Sequence, residues 1–360
     1  MNTLIFLAGL VTLVVGASLL VRGASKLALS FGVSPLVVGL TIVAFGTSAP
    51  EVAVSVGAVL DGKTDIATGN VVGSNIFNVL FILGISALIV PLVVNIQLIR
   101  QEVPIMIGAS LLLLALGLDG SVSFWDGAFL FALLVAYTTF LIVQSRRESK
   151  ATQQNLAHEA PAAAEPGEWD SKLPAQLALI VAGLVALVFG SDWLVTAAVV
   201  FAKALGVSDL IIGLTIVAAG TSMPEVATSI TAALKGERDI AVGNVVGSNT
   251  FNILGCLGLS GMVSGDLGLA MAPSLMAFDI WVMLAVALAC LPIFISGREI
   301  ARWEGGVFVL YYGAYVGYLI LAAQQHAALG TFSTAMMSFV VPITVITLVV
   351  VLLRRPAPTA

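Results

Sequence analysis

The chain contains two copies of one long motif. Residues 39–86 align without gaps to residues 213–260, and 33 of the 48 aligned positions are identical. Each copy carries the pattern GTSxPE, then a short polar turn, then GNVVGSNxFN, so Glu51 and Glu225 occupy equivalent positions 174 residues apart. A chain of this kind is constrained to fold as two similar halves, with the two copies as their matching parts.

The second constraint is the medium in which the chain folds. Of the 360 residues, 59% are hydrophobic and only 10% are charged, whereas a soluble domain carries about 25% charged residues. A segment of about 20 mostly apolar residues is long enough to cross a bilayer as a helix. The sequence predicts eleven such segments, at residues 3–22, 34–60, 66–91, 101–118, 124–144, 174–195, 208–234, 240–265, 275–296, 305–323 and 332–353.

The positive charges predict the orientation of these spans. If the N-terminus lies outside, 13 of the 15 lysine and arginine residues fall on the cytoplasmic side, and only Lys63 and Lys203 do not. Such a bias is typical of membrane proteins. We therefore expect a multi-pass integral membrane protein of a bacterial inner (cell) membrane, with the N-terminus outside and the C-terminus in the cytoplasm. No positive charge precedes the apolar run Leu4 to Val21, so we expect a retained span there rather than a signal peptide.

One polar segment interrupts the apolar pattern. Residues 145–173 are rich in Ala, Glu, Pro and Gln, and this composition predicts a flexible cytoplasmic linker. The linker separates a first five-span repeat, residues 1–144, from a second, residues 174–323, and residues 324–360 supply an extra C-terminal span. Because five is odd, the second half enters the membrane from the opposite side. The halves are therefore predicted to be inverted repeats, an arrangement found in secondary transporters.

Each motif copy places a break and a carboxylate inside an apolar helix. Proline removes one backbone hydrogen bond and frees the carbonyl four residues earlier, which is Gly46 for Pro50 and Gly220 for Pro224. Such a break survives in a membrane only where neighbouring groups or a lined cavity satisfy the freed backbone. We therefore expect both breaks to lie at a polar site inside the protein.

The second helix of each copy carries a polar stripe. In the first copy, Asn70, Ser74 and Asn78 recur at every fourth position and share one helix face, with Asn75 beside them. The second copy repeats the stripe with Asn244, Ser248, Asn249 and Asn252.

Inverted symmetry predicts that the two copies meet at the centre of the protein. That centre would hold the carboxylates of Glu51 and Glu225 among hydroxyl, amide and carbonyl oxygens, without histidine, cysteine or lysine. Hard oxygen ligands suit Ca²⁺ or Na⁺ rather than zinc or copper, and acidic residues within a membrane indicate a functional site. Glu102 and Asp279 lie near predicted span ends and are expected to be interfacial.

These motifs resemble the two alpha repeats of the cation/calcium exchanger superfamily, here residues 39–90 and 213–264. The resemblance extends to about residue 323. It implies an all-α integral membrane protein with two inverted repeats of five transmembrane helices, to which this chain adds a C-terminal helix. It further implies a secondary active antiporter that exchanges Ca²⁺ for Na⁺ by alternating access, as the first span of each half slides across the rest. No enzymatic activity, cofactor or nucleic acid is implied; the partners are the lipid bilayer and the transported Ca²⁺ and Na⁺.

By motif match, the resemblance also implies a set of cation ligands. The carboxylates are Glu51 and Glu225, and the side-chain amides are Asn78 and Asn252. The hydroxyl ligands are Thr47, Ser48, Ser74, Thr221, Ser222 and Ser248. The backbone carbonyl ligands are Ala44 and Ala218.

One departure leaves the coupling ion open. Several sodium/calcium exchangers have an aspartate where this chain has Asn252, so only two fixed negative charges are expected at this site. A proton-coupled Ca²⁺ or Na⁺ antiporter is the alternative, although the motifs contain no histidine, which favours sodium. A cation channel is less favoured, because channels are more often symmetric oligomers and this chain supplies both halves itself. The oligomeric state is left open, with a monomer as one option.

Overall fold

The structure is a computed structural model that describes residues 2–156, 169–207, 209–212, 215–216 and 218–353. Helices make up almost all of this part of the chain. The first half contains α1 (Asn2–Phe31), α2 (Pro35–Thr47), α3 (Ala49–Leu60), α4 (Thr64–Ile89), α5 (Leu98–Asp119) and α6 (Phe124–Leu156). The second half contains α7 (Leu173–Ala204), α8 (Asp209–Ile212), α9 (Ala218–Gly220), α10 (Met223–Leu234), α11 (Arg238–Leu267), α12 (Leu275–Ile295) and α13 (Arg302–Ala323), and α14 (Ala328–Val350) follows them.

Ten candidate membrane spans lie within the described residues. Nine single helices are long and apolar enough to cross a bilayer, and α2 with α3 forms a tenth span bent by 42°. The remaining predicted segment, residues 208–234, corresponds to α8, α9 and α10. Four of its residues, 208, 213, 214 and 217, lie outside the described residues. The predicted all-α membrane fold is confirmed.

The motif itself causes the bend between α2 and α3. Ser48 leaves the helical conformation with φ −82° and ψ 6°, and Pro50 stands in the first turn of α3. Ser222 has nearly the same backbone angles, φ −89° and ψ 9°, before Pro224 in α10. Because proline cannot continue the hydrogen bonding of the preceding turn, the same six-residue motif breaks the helix at the same place in both halves.

Two small antiparallel sheets join the halves. Strand β1 (Leu92–Val93) pairs with β4 (Glu299–Ile300), and β2 (Ser121–Val122) pairs with β3 (Leu269–Ala270). Each sheet takes one strand from each half. Because the span α5 separates β1 from β2, the two sheets hold the halves together at opposite ends of the helix bundle.

The first helices of the two halves, α1 and α7, are in close backbone contact. A Cβ added to Gly16 of α1 would lie 2.9 Å from the Gly183 carbonyl oxygen, and one added to Gly190 of α7 would lie 2.8 Å from the Leu13 backbone nitrogen. Small residues permit such an approach of two helices in a membrane. Glycines therefore join α1 and α7 into one antiparallel unit.

The segment between the halves is more ordered at its edges than its composition suggests. Helix α6 continues to Leu156, because the residues after 144 include good helix formers and no glycine or proline. Residues 157–168 lie outside the described residues. At the other edge, Asp170 is fully buried and accepts a hydrogen bond of 2.6 Å from Nε of Arg22 on α1. The end of the predicted linker is thus packed against the α1–α7 unit.

Candidate cation site

The two motif copies meet at the centre of the protein, as the inverted symmetry predicts. Glu51 and Glu225 are both completely buried, with 0% exposure. The Ser48 hydroxyl donates to Oε1 of Glu225 at 3.0 Å, and the Ser222 hydroxyl donates to Oε1 of Glu51 at 2.7 Å. Each glutamate is therefore held by the serine of the other half, so the site is formed only where both halves are present.

Matching hydrogen bonds tie each broken helix to the stripe that follows it. The Asn70 amide donates to the Ser55 hydroxyl at 3.0 Å, and the Asn244 amide donates to the Ser229 hydroxyl at 3.0 Å. Across the halves, the Thr47 hydroxyl donates to Oδ1 of Asn244 at 3.1 Å. These bonds place the polar stripes of α4 and α11 beside the two carboxylates.

Several oxygens of the predicted ligands are buried and unused. A buried polar atom is normally hydrogen-bonded, yet six side-chain oxygens at this centre have no partner among the described residues. These oxygens are Oε2 of Glu51, Oε2 of Glu225, Oδ1 of Asn78, Oδ1 of Asn252, Oγ1 of Thr221 and Oγ of Ser248. Unpaired oxygens around two carboxylates are the donor set that a hard cation such as Ca²⁺ binds.

The other predicted ligands lie in the same region. Ser74 is buried and lies 3.3 Å from the Ser222 hydroxyl, oxygen to oxygen. The Ala44 carbonyl accepts the Ser48 backbone N–H at 3.1 Å, and its oxygen lies 3.4 Å from the Thr47 hydroxyl oxygen. Ala218 begins the short helix α9, directly before the second break. The structure therefore gathers the predicted ligand segments around one centre.

The backbone is irregular at the two asparagines that are predicted to be ligands. A π-helical turn begins at Asn78 and runs to Leu83, and another begins at Asn252 and runs to Leu257. Such turns occur as short interruptions of α-helices, frequently at functional sites. The repeat thus produces the same local distortion on both sides of the site.

The site is not equally covered in the two halves. A Cβ added to Gly243 would lie 3.0 Å from the Leu36 carbonyl oxygen, and one added to Gly247 would lie 2.7 Å from the Leu40 carbonyl oxygen. Helix α2 is therefore packed tightly over α11, and Asn244 is fully buried. The equivalent Asn70 of α4 is only half-buried. Among the described residues, the α11 stripe is therefore more deeply buried at Asn244 than the α4 stripe is at Asn70.

Glu102, which was expected near the membrane interface because of its position close to a span end, is buried within the protein. Glu102 is fully buried and accepts hydrogen bonds from the Tyr137 hydroxyl at 2.6 Å, the Gln97 amide at 2.9 Å and the Gln101 amide at 2.8 Å. These donors come from the turn before α5, from α5 itself and from α6, which together cover the carboxyl group from water. Position along a span alone could not reveal this burial.

The second half contains a counterpart of this buried pair. The Tyr315 hydroxyl donates to Oδ1 of Asp279 at 2.8 Å. Asp279 follows Glu102 by 177 positions and Tyr315 follows Tyr137 by 178, close to the offset of the main repeat. The recurrence of an acid and a tyrosine at a nearly constant offset is the feature of the sequence that indicates this pair.

The fold and the site together define a class: membrane transporters built from inverted repeats, with a binding site between broken helices where the repeats meet. The sequence model of the family described as "Sodium/calcium exchanger protein" matches residues 1–143 and 175–321 of this chain. The chain therefore belongs to the sodium/calcium exchanger family.

Individual relatives agree with this assignment. The chain is 37% identical to the "Putative antiporter CaxA" of Alkalimonas amylolytica over 89% of this chain and 98% of the relative. It is 34% identical to the "Sodium/calcium exchanger MaX1" of Methanosarcina acetivorans over 88% of this chain and 97% of the relative. Among solved structures, the sodium-calcium exchanger NCX_Mj soaked with zero Na⁺ and Ca²⁺ matches with a TM-score of 0.74 and 29% identity, covering 88% of this chain and 98% of that one. The family consists of exchangers rather than enzymes, so the protein is a multi-pass membrane antiporter of the exchanger type.

Proposed function

We propose that the protein exchanges Ca²⁺ for Na⁺ across the cell membrane by alternating access. The observation that carries the proposal is a set of six buried oxygens without partners among the described residues at the meeting point of the halves: one on each of the two carboxylates and four around them. Glu51 and Glu225 supply two negative charges. One Ca²⁺ ion can neutralise both charges, and Na⁺ ions can take its place. The proposed neutral ligands are Thr47, Ser48, Ser74, Asn78, Thr221, Ser222, Ser248 and Asn252, with the carbonyls of Ala44 and Ala218.

Sodium is favoured over the proton as the coupling ion. The oxygens around the glutamates are hydroxyl and amide groups, and hard oxygen ligands of this kind suit Na⁺ and Ca²⁺. The chain has two histidines, and neither lies in the motifs. The related protein MaX1 is named a sodium/calcium exchanger. These points support a site that takes Na⁺ and Ca²⁺ in turn.

The unequal cover of the two halves supports a direction of access. With the N-terminus outside, the side where α2 covers Gly243 and Gly247 faces the cytoplasm, and the more exposed Asn70 faces outward. The structure would then represent a state that exchanges ions with the outside. Sliding of the α1–α7 unit across the remaining helices would open the opposite side.

Transport by purified protein tests the proposal. Proteoliposomes loaded with Na⁺ are diluted into Na⁺-free buffer that contains radioactive Ca²⁺, and a pH gradient without a Na⁺ gradient serves as the comparison. We expect uptake driven by the Na⁺ gradient alone. Uptake driven only by the pH gradient would show a proton-coupled antiporter instead, and uptake that does not saturate would indicate a channel.

Charge-removing variants test the site. Glu51→Gln and Glu225→Gln should each abolish Ca²⁺ uptake, while the protein still inserts and elutes as the wild type does. Glu237→Gln, at the turn between α10 and α11, changes the charge outside the site and should transport normally. Full transport by the double variant at 51 and 225 would refute the assignment of these carboxylates.

A further inference from the structure

Two asparagines that are not among the proposed ligands lie between the halves beside the site. The Nδ2 amide of Asn75 donates to the Asn249 backbone carbonyl at 3.2 Å, and the Nδ2 amide of Asn249 donates to the Asn75 backbone carbonyl at 3.3 Å. Both residues are buried, with 1% and 2% exposure. The pair forms a reciprocal contact between α4 and α11.

The backbone carbonyls determine how these two side chains are turned. A carbonyl oxygen only accepts hydrogen bonds, so the side-chain atom that faces it must be the amide nitrogen. The Oδ1 atom of each asparagine is then directed the other way. The nitrogen and oxygen of an asparagine side chain have nearly the same shape, so their positions are normally ambiguous. Here the backbone carbonyls fix which atom is the nitrogen.

The orientation is passed on to the proposed ligands of the opposite half. Oδ1 of Asn75 accepts the Nδ2 amide of Asn252 at 3.1 Å, and Oδ1 of Asn249 accepts the Nδ2 amide of Asn78 at 3.0 Å. With their nitrogens used in this way, Asn252 and Asn78 present Oδ1, and both Oδ1 atoms are buried without a partner among the residues described here. The free oxygens at the site are thus a consequence of the bonds behind them.

Two methionines complete the surroundings of the pair. The Nδ2 atom of Asn75 lies 3.7 Å from the sulfur of Met283, and that of Asn249 lies 3.6 Å from the sulfur of Met106. A thioether sulfur is a weak acceptor. It can accommodate the second amide hydrogen without competing with the backbone carbonyl that orients the side chain.

We propose that Asn75 and Asn249 are positioning residues that turn the oxygens of Asn252 and Asn78, respectively, toward the transported cation. The inference rests on the proposed function, in which Asn78 and Asn252 face the cation. Without the acceptor behind it, the amide can rotate and present two N–H donors to the cation in place of one oxygen. Each positioning residue acts across the interface between the halves and not on its own helix.

The pairing across the halves makes the test specific. We would measure the KM for Ca²⁺ and the maximal rate per inserted protein in proteoliposomes for Asn75→Leu, Asn252→Ala and Asn78→Ala, and for the two doubles that contain Asn75→Leu. Leucine has a similar volume but lacks the acceptor. Asn75→Leu should raise the KM about tenfold, the effect of losing one hydrogen-bonded ligand orientation, with little change in the maximal rate.

The double variants separate positioning from a general structural role. In the Asn252→Ala background no amide remains to be oriented, so adding Asn75→Leu should leave the KM nearly unchanged. In the Asn78→Ala background the amide of Asn252 is still present, so the two effects on KM should multiply. Three outcomes would each overturn the proposal. The effects on KM could multiply in the Asn252→Ala background, or Asn75→Leu could leave the KM unchanged. The third outcome is a stronger coupling of Asn75 to Asn78, one helical turn away, than to Asn252.

Two further measurements keep the inference distinguishable from the proposed function and from misfolding. The first is the Ca²⁺ affinity of the detergent-purified protein, measured by calorimetry for the same single and double variants. This comparison needs no coupling ion, so it can be completed even if transport proves to be driven by protons. If Asn75→Leu does not yield folded protein, Asn249→Leu tests the mirror pair, with coupling expected to Asn78 and not to Asn252. Absence of that coupling would equally overturn the proposal.

Discussion

The Ser191 hydroxyl on α7 donates a hydrogen bond of 2.7 Å to the Gly220 backbone carbonyl. Pro224, four residues after Gly220, has no N–H to offer this carbonyl. A side chain from a neighbouring helix therefore supplies the hydrogen bond that the Gly220 carbonyl lacks at the helix break in the second half. The same bond connects the α1–α7 unit to a segment that carries proposed ligands.

Removing the Ser191 hydroxyl should destabilise the protein. In Ser191→Ala the buried Gly220 carbonyl loses its donor, at an expected cost of about 1–3 kcal/mol. The measurement is the thermal unfolding midpoint in detergent, which should fall. In a Pro224→Ala background the restored N–H can take the carbonyl, so Ser191→Ala should then cost less. Equal losses in both backgrounds would contradict this explanation.

Ser110→Ala is the matched control for that experiment. Ser110 is also buried, and its hydroxyl donates to the Met106 carbonyl at 2.9 Å. Both residues lie within one regular helix, so the Met106 carbonyl keeps the backbone N–H of Ser110 as a donor. A much smaller loss of stability is expected.

Tyr137→Phe should lower the stability of the protein, because it removes a hydrogen bond from the buried Glu102 carboxyl group. The variant removes the shortest of its three hydrogen bonds, 2.6 Å long, from a site without access to water. We expect a loss of about 1–3 kcal/mol in stability, seen as a lower unfolding midpoint. Tyr315→Phe removes the equivalent bond from Asp279, which is only half-buried. Because water can replace that bond, Tyr315→Phe should lower the stability less. A loss as large as that of Tyr137→Phe would contradict this explanation.

Gly16→Val should separate α1 from α7. The added side chain would overlap the Gly183 carbonyl and the Leu187 backbone nitrogen, each 2.9 Å from the new Cβ. If the two helices must move together, exchange should be lost or strongly reduced in the proteoliposome assay. Gly108→Ala is the control, since no described heavy atom lies within 4 Å of its Cβ, and it should exchange normally. Normal exchange by Gly16→Val would show that the contact is not required.

Deleting residues 333–360 should leave exchange close to the full-length rate. The apolar window of α14 has none of its residues buried. Within the described residues, its hydrogen bonds to the rest of the protein involve Tyr311, which contacts the Val340 carbonyl and the Thr344 hydroxyl. The measurement is Na⁺-driven Ca²⁺ uptake by the truncated protein. A well-folded truncation without activity would place α14 in the transport core.

Truncation after residue 300 is the contrasting case. It removes α13, whose Gly305 approaches α4 so closely that a Cβ added to Gly84 would lie 2.9 Å from the Gly305 carbonyl oxygen. Loss of this helix would uncover the helix that carries Ser74 and Asn78. Exchange should disappear.

The sequence alone predicted the features that depend on local chemistry. Apolar length predicted the spans, and proline predicted the breaks before Pro50 and Pro224. The identity of the two motif copies predicted that Glu51 and Glu225 would be equivalent, and their isolation in apolar sequence indicated a cation site. The spans and the breaks follow from residues that are neighbours in the chain, where backbone geometry and burial in lipid leave few alternatives, and the equivalence of the glutamates follows from the internal repeat.

Only the tertiary structure decided which groups of different helices meet, within each half and across the two halves. The bonds from Ser222 to Glu51, from Asn252 to Asn75 and from Ser191 to Gly220 join residues between 29 and 177 positions apart. The burial of Glu102 likewise depends on Tyr137 from another helix. A sequence pattern states which side chains share a helix face, but contacts between faces depend on how the helices pack. The sequence therefore determined which polar residues the candidate site contains. The packing of the inverted halves determined which of their oxygens are left without a hydrogen-bond partner among the described residues.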